Sequence, residues 1–266
     1  MVNELYSYKK YNIEINVAEI GISKSEIHCV NYDDPKDEVL KRMKEKRFDV
    51  LPIKEPNKNN SNIIIKNYYK TNEWGDFSDI TKYPITYNDL ISVNTDIKDL
   101  VKSFIAEKRN FFFISKDLNV VGLITISDLN HPQFKTYLFS LLIELEIILL
   151  NLIKEIYLEE ELKSRDYGED GKKIKERFEL AKKKDVDVHF AEYLYLSHLI
   201  ELIEKNSNLN MKLGYIDKEF EEFKNLASLR NKIAHPGHRL VTSSSSIKTL
   251  NKRISLIKES IFRLKN

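Results

Sequence analysis

The chain has 266 residues but only 7 glycines and 6 prolines, together well below the roughly 12% share of an average chain. This scarcity excludes collagen-like and Gly- or Pro-rich disordered proteins, and it disfavours a β-sandwich with many tight turns. Lysine and arginine total 43 against 41 aspartates and glutamates, which leaves a net charge of +2. Because charge is this balanced, no global field directs the chain towards nucleic acid or a membrane.

The single cysteine, Cys29, excludes an internal disulfide and Cys-rich metal motifs, and it favours a cytoplasmic location. A Walker A loop is excluded because Asp166 stands five residues before Gly171, where that loop needs glycine; GxGxxG, GxSxG and HExxH are also absent. The longest apolar run, residues 138–153, is interrupted by two glutamates and is short for a membrane span. We therefore expect a soluble protein without a membrane partner.

Proline distribution divides the chain into two regions. Five prolines lie at or before Pro132 and the sixth is Pro236, so the proline-free tract between them predicts helices. Before Pro132, short β-type runs alternate with amphipathic helices, and the cycle repeats after 60–65 residues, which predicts a duplicated α+β module. The predicted elements are strand 26–30, helix 36–46, strands 50–53 and 63–67, then strand 90–93, helix 97–107 and strands 110–115 and 120–125. We place this module at residues 1–131, with copies at about 20–80 and 85–131, and a helical domain at 132–266.

The second copy closes with a motif of defined spacing, Gly122-Leu123-Ile124-Thr125-Ile126-Ser127-Asp128-Leu129. It resembles the end of a cystathionine-β-synthase-type (CBS) domain: Gly, two apolar residues, Thr, two variable residues, Asp and an apolar residue. The resemblance implies a tandem CBS pair with β-α-β-β-α copies. It also implies a regulatory adenosine nucleotide (AMP, ADP or ATP) as ligand.

The residue types in this motif suit a nucleotide. Thr125 ends a strand and Asp128 opens a helix, so free backbone N–H groups and a hydroxyl face a phosphate there. Asp128 can accept both ribose hydroxyls, and Phe112 and Ile114 line the adenine. The same Thr-x-x-Asp spacing is also that of a simple helix cap, in which case the pair is empty and architectural.

The first copy departs from this pattern. We place its ending at residues 75–80, where Asp76 stands in the threonine position. An acid there repels phosphate, which puts a second site at Asp79 in doubt.

The helical region predicts a four-helix up-down bundle with helices at about 133–164, 188–204, 217–234 and 245–264, and with a charged link at 166–184. The first helix is apolar beyond a single stripe, so it belongs in a bundle interior or a dimer interface. Glu146 within it is either an exposed or interhelix-paired carboxylate or a buried acid that orients an active-site base. The fold class is therefore α+β, with a duplicated α+β module followed by an all-α four-helix bundle.

The third helix ends in Leu229-Arg230-Asn231-Lys232-Ile233-Ala234-His235-Pro236. This resembles the Arg-x4-His motif of HEPN (higher eukaryotes and prokaryotes nucleotide-binding) domains, including the polar residue after the arginine. The CBS-like ending that runs into an apolar helix also resembles CBS–HEPN fusions. The resemblance implies a metal-independent endoribonuclease that acts as a homodimer through the HEPN domain, and also through the CBS pair.

The residue types suit phosphoryl transfer by an RNA 2′-hydroxyl, which leaves 2′,3′-cyclic phosphate and 5′-hydroxyl ends. His235 serves as general acid or base, and Arg230 offers a bidentate charge to the transition state. Asn231 belongs to the same catalytic set, and Glu146, Lys232 and His238 support it. Lys232 and His238, together with Arg239, hold the RNA backbone.

Alternatives remain at this site. Arg230 is alternatively an ion-pair partner within the bundle and His235 a helix cap, whereas zinc at His235 and His238 lacks a third ligand. Because His235 precedes Pro236, the helix is expected to end there.

Taken together, the sequence predicts a metal-independent endoribonuclease regulated by an adenosine nucleotide, with a toxin or defence role and a cognate neutraliser as further expectations. The alternative is a non-catalytic adenine-nucleotide-sensing protein that dimerises or binds a partner.

Overall fold

A computed structural model describes residues 15–56, 63–73, 75–184, 187–235 and 237–265. The chain forms two compact units. The sheet unit comprises the described residues up to Phe134 together with Val241–Lys248, and the helical unit comprises Lys135–Leu240 together with Thr249 onwards. Strands and helices both contribute, so the α+β fold class is confirmed.

The sheet unit contains eight strands and three α-helices among the described residues, and short 3-10 turns follow β5 and β8. They are α1 (Val17–Ile20), β1 (Ile22–Ser23), β2 (Val30–Asn31), α2 (Lys36–Lys46), β3 (Val50–Pro56), β4 (Ile63–Thr71), β5 (Ile80–Pro84), β6 (Leu90–Ser92), α3 (Ile97–Ala106), β7 (Phe111–Lys116) and β8 (Asn119–Thr125).

The two predicted helices of this unit form where apolar spacing placed them. In α3, Ile97, Leu100 and Phe104 are buried on one face, as a period of 3.6 residues requires. The predicted strand at residues 26–30 is wrong, because only Val30 and Asn31 pair. The backbone instead turns there: the N–H of Glu26 donates to the carbonyl of Ser23 at 2.9 Å.

The strands form two four-stranded sheets, in the orders β2-β3-β4-β5 and β1-β8-β7-β6. In each sheet one parallel pair (β2–β3 or β6–β7) is followed by an antiparallel hairpin (β3–β4 or β7–β8). The fourth strand is exchanged between the copies. β1 precedes the first copy but pairs with β8, and β5 precedes the second copy but pairs with β4.

Strand register relates the copies residue by residue. Val30 pairs with Ile53 in the first sheet, and Ile91 pairs with Ile114 in the second. Val30 and Ile91 are 61 positions apart (91 − 30), and so are Ile53 and Ile114 (114 − 53). This spacing agrees with the predicted 60–65-residue repeat. The sheet unit is therefore an internal duplication.

A shared core lies between the two sheets. Tyr68 packs against Phe111 and Phe113, with ring centroids 5.4 and 5.2 Å apart, and Val50 and Leu123 belong to the same cluster. The first four residues of β7 are all buried, since this strand is covered on both faces. That explains why it reads as an unbroken apolar run rather than an alternating one.

The helical unit departs from the predicted four-helix bundle, since the described residues form seven α-helices. They are α4 (Pro132–Ile156), α5 (Glu159–Ser164), α6 (Gly171–Lys182), α7 (Leu196–Lys205), α8 (Ser207–Leu213), α9 (Asp217–Ala234) and α10 (Ser244–Lys265). The first residues of α4 and of α10 belong to the sheet unit.

The extra helices have local causes. The predicted helix at residues 133–164 breaks after Ile156, and the acidic run Glu159, Glu160 and Glu161 forms the first turn of α5, where negative charge favours a helix start. The predicted link at 166–184 contains α6, because Ile174 and Phe178 lie four residues apart and bury one face.

The helix α4 is the one helix among the described residues that is long and apolar enough, by length and composition, to cross a membrane. The helix is 25 residues long and extends beyond the apolar run at 138–153. The length of that run is therefore not a reason to exclude a membrane-spanning helix. Both of its interior carboxylates meet cations of other helices in the unit: Glu144 binds Lys265 at 2.7 Å, and Glu146 lies 3.4 Å from Arg230. Such pairing is typical of a helix packed within protein.

Candidate functional site

The Thr125–Asp128 motif forms a reciprocal cap at the end of β8. Oδ2 of Asp128 accepts the backbone N–H of Thr125 at 2.6 Å and its hydroxyl at 3.0 Å. The other carboxylate oxygen, Oδ1, receives no hydrogen bond from the residues that the structure describes. The cap interpretation and the ligand interpretation are therefore compatible, because one oxygen caps the turn and the other remains an open acceptor.

The environment of Asp128 disfavours its charge. Burial raises the pKa of the Asp128 carboxyl, and the two bonds from Thr125 and the nearby His131 oppose this shift without cancelling it. A desolvated carboxylate with an open oxygen gains most from a ligand that donates hydrogen bonds to it. Such an acceptor suits a diol.

The predicted adenine-lining residues are enclosed. Phe112 is 1% exposed, and its ring centroid lies 5.3 Å from that of Phe104; Ile114 is 3% exposed. Neither presents surface to a ligand as placed, so contact with an adenine requires neighbouring side chains to move.

Gly122 has a packing reason for lacking a side chain. A Cβ there would lie 2.8 Å from the carbonyl oxygen of Ile22, because β1 pairs with β8 at this residue. The glycine of the motif thus permits the exchanged strand to pair.

Register corrects the position of the first copy's ending. Ile53 pairs with Asn67 as Ile114 pairs with Gly122, so Lys70 and Glu73 occupy the places of Thr125 and Asp128. The predicted ending at residues 75–80 is therefore wrong. Six residues separate the paired Pro56 and Ile63 in the first copy, against two between Lys116 and Asn119 in the second, so spacing along the chain differs between the copies.

The first copy lacks the chemistry of the second at these places. Lys70 lies over the ring of Phe111 at 5.9 Å, and Glu73 is exposed. Asp79, the residue in doubt, pairs with Lys36 at 2.8 Å. A threonine cap and an open buried carboxylate therefore occur in the second copy's ending and not at the equivalent described residues of the first.

The chain contains a second Thr-x-x-Asp-Leu motif, at Thr86–Leu90, which the sequence prediction missed. Asp89 accepts the N–H and the hydroxyl of Thr86 at 2.7 and 2.6 Å, in the same arrangement as Thr125 and Asp128. Its other oxygen is occupied, by Arg109 at 2.5 Å and by the hydroxyl of Tyr68 at 3.3 Å. The identical spacing of the two motifs is the sequence signal that would have revealed it.

The two aspartates therefore differ in availability. Asp89 is 4% exposed; burial acts to raise its pKa, but the bonds from Thr86 and Arg109 outweigh it and the pKa is lowered. Burial and the neighbouring Asp89 raise the pKa of Tyr68 to about 12, so this hydroxyl stays a donor. Arg109 and Tyr68 fill the positions that a ligand would need.

In the helical unit, Arg230 is held by two contacts. Its Nε lies 3.4 Å from Oε1 of Glu146, and its guanidinium carbon stands 5.9 Å from the centroid of Phe139. The terminal nitrogens have no hydrogen-bond partner among the described residues. Burial raises the pKa of Glu146 and the charge of Arg230 opposes it. Of the two interpretations that the sequence left open, the structure shows the interhelix pair.

The other residues of the motif lie at the exposed end of α9. The helix spans Asp217–Ala234, the predicted bounds, and His235 is extended with φ −98° and ψ 110°; Pro236 lies outside the described residues. Asn231, Lys232, His235 and His238 are all exposed. The rings of His235 and His238 lie 5.3 Å apart.

A cavity of about 370 Å³ adjoins Arg230; we call it the Arg230 cavity. Its lining residues are Glu146, Asp170, Leu194, Tyr195, Leu196, Ser197, Ala227, Arg230 and Asn231. Three of the predicted residues, Glu146, Arg230 and Asn231, therefore meet here, whereas His235, Lys232 and His238 do not line it. Asp170 and Tyr195 had no sequence signal, because they come from distant segments.

The described residues contain no group of three or more His, Cys, Asp or Glu side chains placed to hold a metal ion. His235 and His238 are neighbours without a third ligand in the described chain, so the structure offers no support for zinc at this pair.

No protein-family model matches the sequence, and no curated protein matches it. Solved structures similar to part of the chain include a CBS-domain pair with bound AMP from Klebsiella pneumoniae, with 11% identity over 43% of this chain and 94% of the other, and a TM-score of 0.31. The CBS domains of a transcriptional regulator from Streptococcus pneumoniae share 16% identity over 43% and 96%, with a TM-score of 0.33. A hemolysin-like protein containing a CBS domain from Oenococcus oeni shares 14% over 44% and 88%, with a TM-score of 0.32.

Proposed function

We propose that the sheet unit is a tandem CBS pair that binds one adenosine nucleotide per chain, at the Thr125–Asp128 motif. The open Oδ1 of Asp128 carries this proposal, because a desolvated carboxylate without a donor partner gains hydrogen bonds from a ribose diol. The backbone of the turn is less available than the sequence predicted, because the N–H of Ile126 donates to the carbonyl of Asn110 at 2.9 Å. Lys70 and Glu73 in the first copy, and the occupied Asp89, leave one such site per chain.

Calorimetry with AMP and ATP on the whole chain tests this proposal. Asp128→Asn keeps an oxygen for Thr125 but loses the charged acceptor, so we expect binding to fall at least tenfold. Asp79→Asn is the matched control, since it removes an exposed carboxylate of the same type and should leave binding unchanged. Equal effects of the two variants, or two bound nucleotides per chain, would contradict the assignment.

We further propose that the helical unit is a HEPN-type, metal-independent endoribonuclease regulated by that nucleotide. What supports this is the placement of Arg230: Glu146 engages Nε and leaves both terminal nitrogens to bind a phosphoryl group bidentately. His235, extended and exposed after the last turn of α9, is accessible for proton transfer. A homodimer in which two such helix ends meet supplies two sets of these groups.

Metal-free RNA cleavage is the experiment that tests the enzymatic part. Wild-type chain in chelator should produce 2′,3′-cyclic phosphate ends, and Arg230→Ala and His235→Ala should each lower the rate at least a hundredfold. Arg42→Ala, which removes an exposed arginine of the sheet unit, is the control. Running each reaction with and without AMP or ATP measures regulation.

Cleavage that survives both Arg230→Ala and His235→Ala, or none by the wild-type chain, would refute the ribonuclease. Nucleotide binding lost with Asp128→Asn in a chain without ribonuclease activity would instead favour a non-catalytic nucleotide-sensing interaction protein.

A further inference from the structure

The Arg230 cavity contains a carboxylate, that of Asp170, which accepts no hydrogen bond from the described residues. Asp170 precedes α6 as its N-cap residue, but its side chain makes no capping hydrogen bond, and it is 43% exposed. The nearest cation-forming group is His198, whose Nε2 lies 4.0 Å from Oδ2 of Asp170. Within the described chain, both oxygens of Asp170 remain available as acceptors.

The imidazole of His198 is neutral and fixed. Burial lowers its pKa, and the charges of Asp170 and Glu201 oppose that shift without overcoming it. Its Nδ1 accepts the N–H of Tyr195 at 3.4 Å, which assigns the proton to Nε2, on the side of Asp170. The ring of Tyr195 stacks on it with centroids 5.5 Å apart. At 4.0 Å, the neutral His198 makes no hydrogen bond to Asp170 and does not neutralise it.

The charges of the cavity disfavour an anion inside it. Glu146 and Asp170 contribute two carboxylates against one guanidinium, and Glu146 already shares Arg230. A phosphate placed beside Asp170, rather than at the terminal nitrogens of Arg230, would meet an unneutralised carboxylate, which costs free energy. A neutral planar group that donates hydrogen bonds and stacks on an aromatic ring fits better, and nucleobases of single-stranded RNA are bound in this way.

The acceptor pattern selects among the bases. A carboxylate has two oxygens and no donor, so it needs two adjacent N–H groups. Guanine offers N1–H beside its N2 amino group, whereas adenine and cytosine place a ring acceptor beside their amino group. Uracil flanks its one N–H with carbonyl oxygens. The amide of Asn231 and the hydroxyl of Ser197, both in the lining, can donate to the guanine O6.

We propose that the Arg230 cavity is a guanine-binding site, in which Asp170 accepts N1–H and the N2 amino group. The proposal rests on the proposed ribonuclease function for its source of guanine, an RNA nucleotide beside the phosphate that Arg230 binds. Guanine recognition then defines where the RNA is cut.

The first test measures binding apart from cleavage. The whole chain carrying Asp128→Asn, which removes the proposed nucleotide site of the sheet unit, is titrated with GMP, IMP and AMP by calorimetry. GMP should bind about tenfold more tightly than IMP, which lacks the N2 amino group, and more tightly still than AMP. Adding Asp170→Asn places an amide NH2 group against the N–H donors of guanine, so the preference for GMP should disappear.

Glu169→Gln is the matched control, because it removes the adjacent exposed carboxylate, which does not line the cavity, and should leave GMP binding unchanged. Equal affinities for the three nucleotides, or a GMP preference that survives Asp170→Asn, would overturn the proposal. Comparison of GMP with IMP on the same protein does not depend on the folding of any Asp170 variant.

The second test separates this proposal from the ribonuclease itself. RNA oligonucleotides with a single guanine should be cut at that guanine, and Asp170→Asn should abolish the site preference. Cleavage without regard to guanine refutes the cavity assignment and leaves the ribonuclease intact. A GMP preference that depends on Asp170, in a chain that cuts no RNA, supports the cavity and refutes the ribonuclease.

Discussion

Asp89 and Asp128 have the same cap geometry but opposite surroundings, and exchanging each for asparagine should therefore give opposite results. In Asp89→Asn, the remaining oxygen can still accept from Thr86, but the charge opposite Arg109 is lost and an amino group replaces the oxygen that Arg109 and Tyr68 bind. In Asp128→Asn, the oxygen that serves Thr125 is kept and no other described contact is lost.

The expected magnitude follows from these bonds. A hydrogen bond to a charged group contributes about 1.5–3 kcal/mol, and the Arg109 side chain is 27% exposed, so water partly replaces the pair. We expect Asp89→Asn to lower the free energy of unfolding by about 2 kcal/mol at neutral pH. Asp128→Asn removes a charge that burial disfavours, so its stability should be unchanged or higher.

The pH dependence gives a second, independent sign. The pKa of Asp89 is lowered in the fold, so its contribution is complete above the unfolded-state pKa and is lost as pH falls through the folded-state value. The difference between wild type and Asp89→Asn should therefore shrink as the pH is lowered below the ordinary aspartate value of 3.8. Asp128 has a raised pKa, so its ionised form adds no stability at neutral pH.

Urea denaturation provides the measurement, followed by far-UV circular dichroism of the whole chain. The same proteins are titrated with AMP. Asp89→Asn should lose stability and keep binding, whereas Asp128→Asn should keep stability and lose binding. A loss below about 0.5 kcal/mol for Asp89→Asn, or equal losses in the two variants, would refute the reasoning.

Three further outcomes are expected. Gly122→Ala should lower the free energy of unfolding by about 2 kcal/mol because its Cβ would meet a β1 carbonyl at 2.8 Å; Gly237→Ala, with nothing within 4 Å, is the control, and equal urea midpoints would contradict this. Glu146→Gln should change stability by less than about 0.5 kcal/mol, since the pair is partly exposed, yet lower kcat for RNA about tenfold by releasing Arg230; an unchanged kcat, or a change in KM alone, would contradict it. Affinity for AMP should begin to weaken, as the pH is lowered, above the ordinary aspartate value of 3.8, because the raised pKa of Asp128 protonates it early; calorimetry across pH checks this, and a constant affinity would contradict it.

Local periodicity predicted the elements whose side chains repeat on one face. The bounds of α2 and α9 agree with the sequence prediction residue for residue, and α3 differs by one residue. Both the amphipathic spacing and the N-terminal and C-terminal signals lie within each of these segments, so no distant contact is needed to define them.

Pairing between distant strands was not predictable in the same way. The equivalence of Lys70 and Glu73 in the first copy to Thr125 and Asp128 in the second depends on strand register in two hairpins of different length. Spacing along the chain instead suggested residues 75–80. Exchange of β1 and β5 between the sheets has no local pattern either, because strands of two and five residues carry too little periodicity.

The sequence alone determined the α+β class, the duplicated module and the Thr125–Asp128 and Arg230–His235 motifs, since these depend on short-range order in the chain. Tertiary structure decided which of these groups is available. It left Oδ1 of Asp128 open but closed Asp89 with Arg109, and it placed Asp170 in the cavity of Arg230, 60 positions away (230 − 170). Availability depends on burial and on the nearest donor, and both are set by packing between segments that are far apart in sequence.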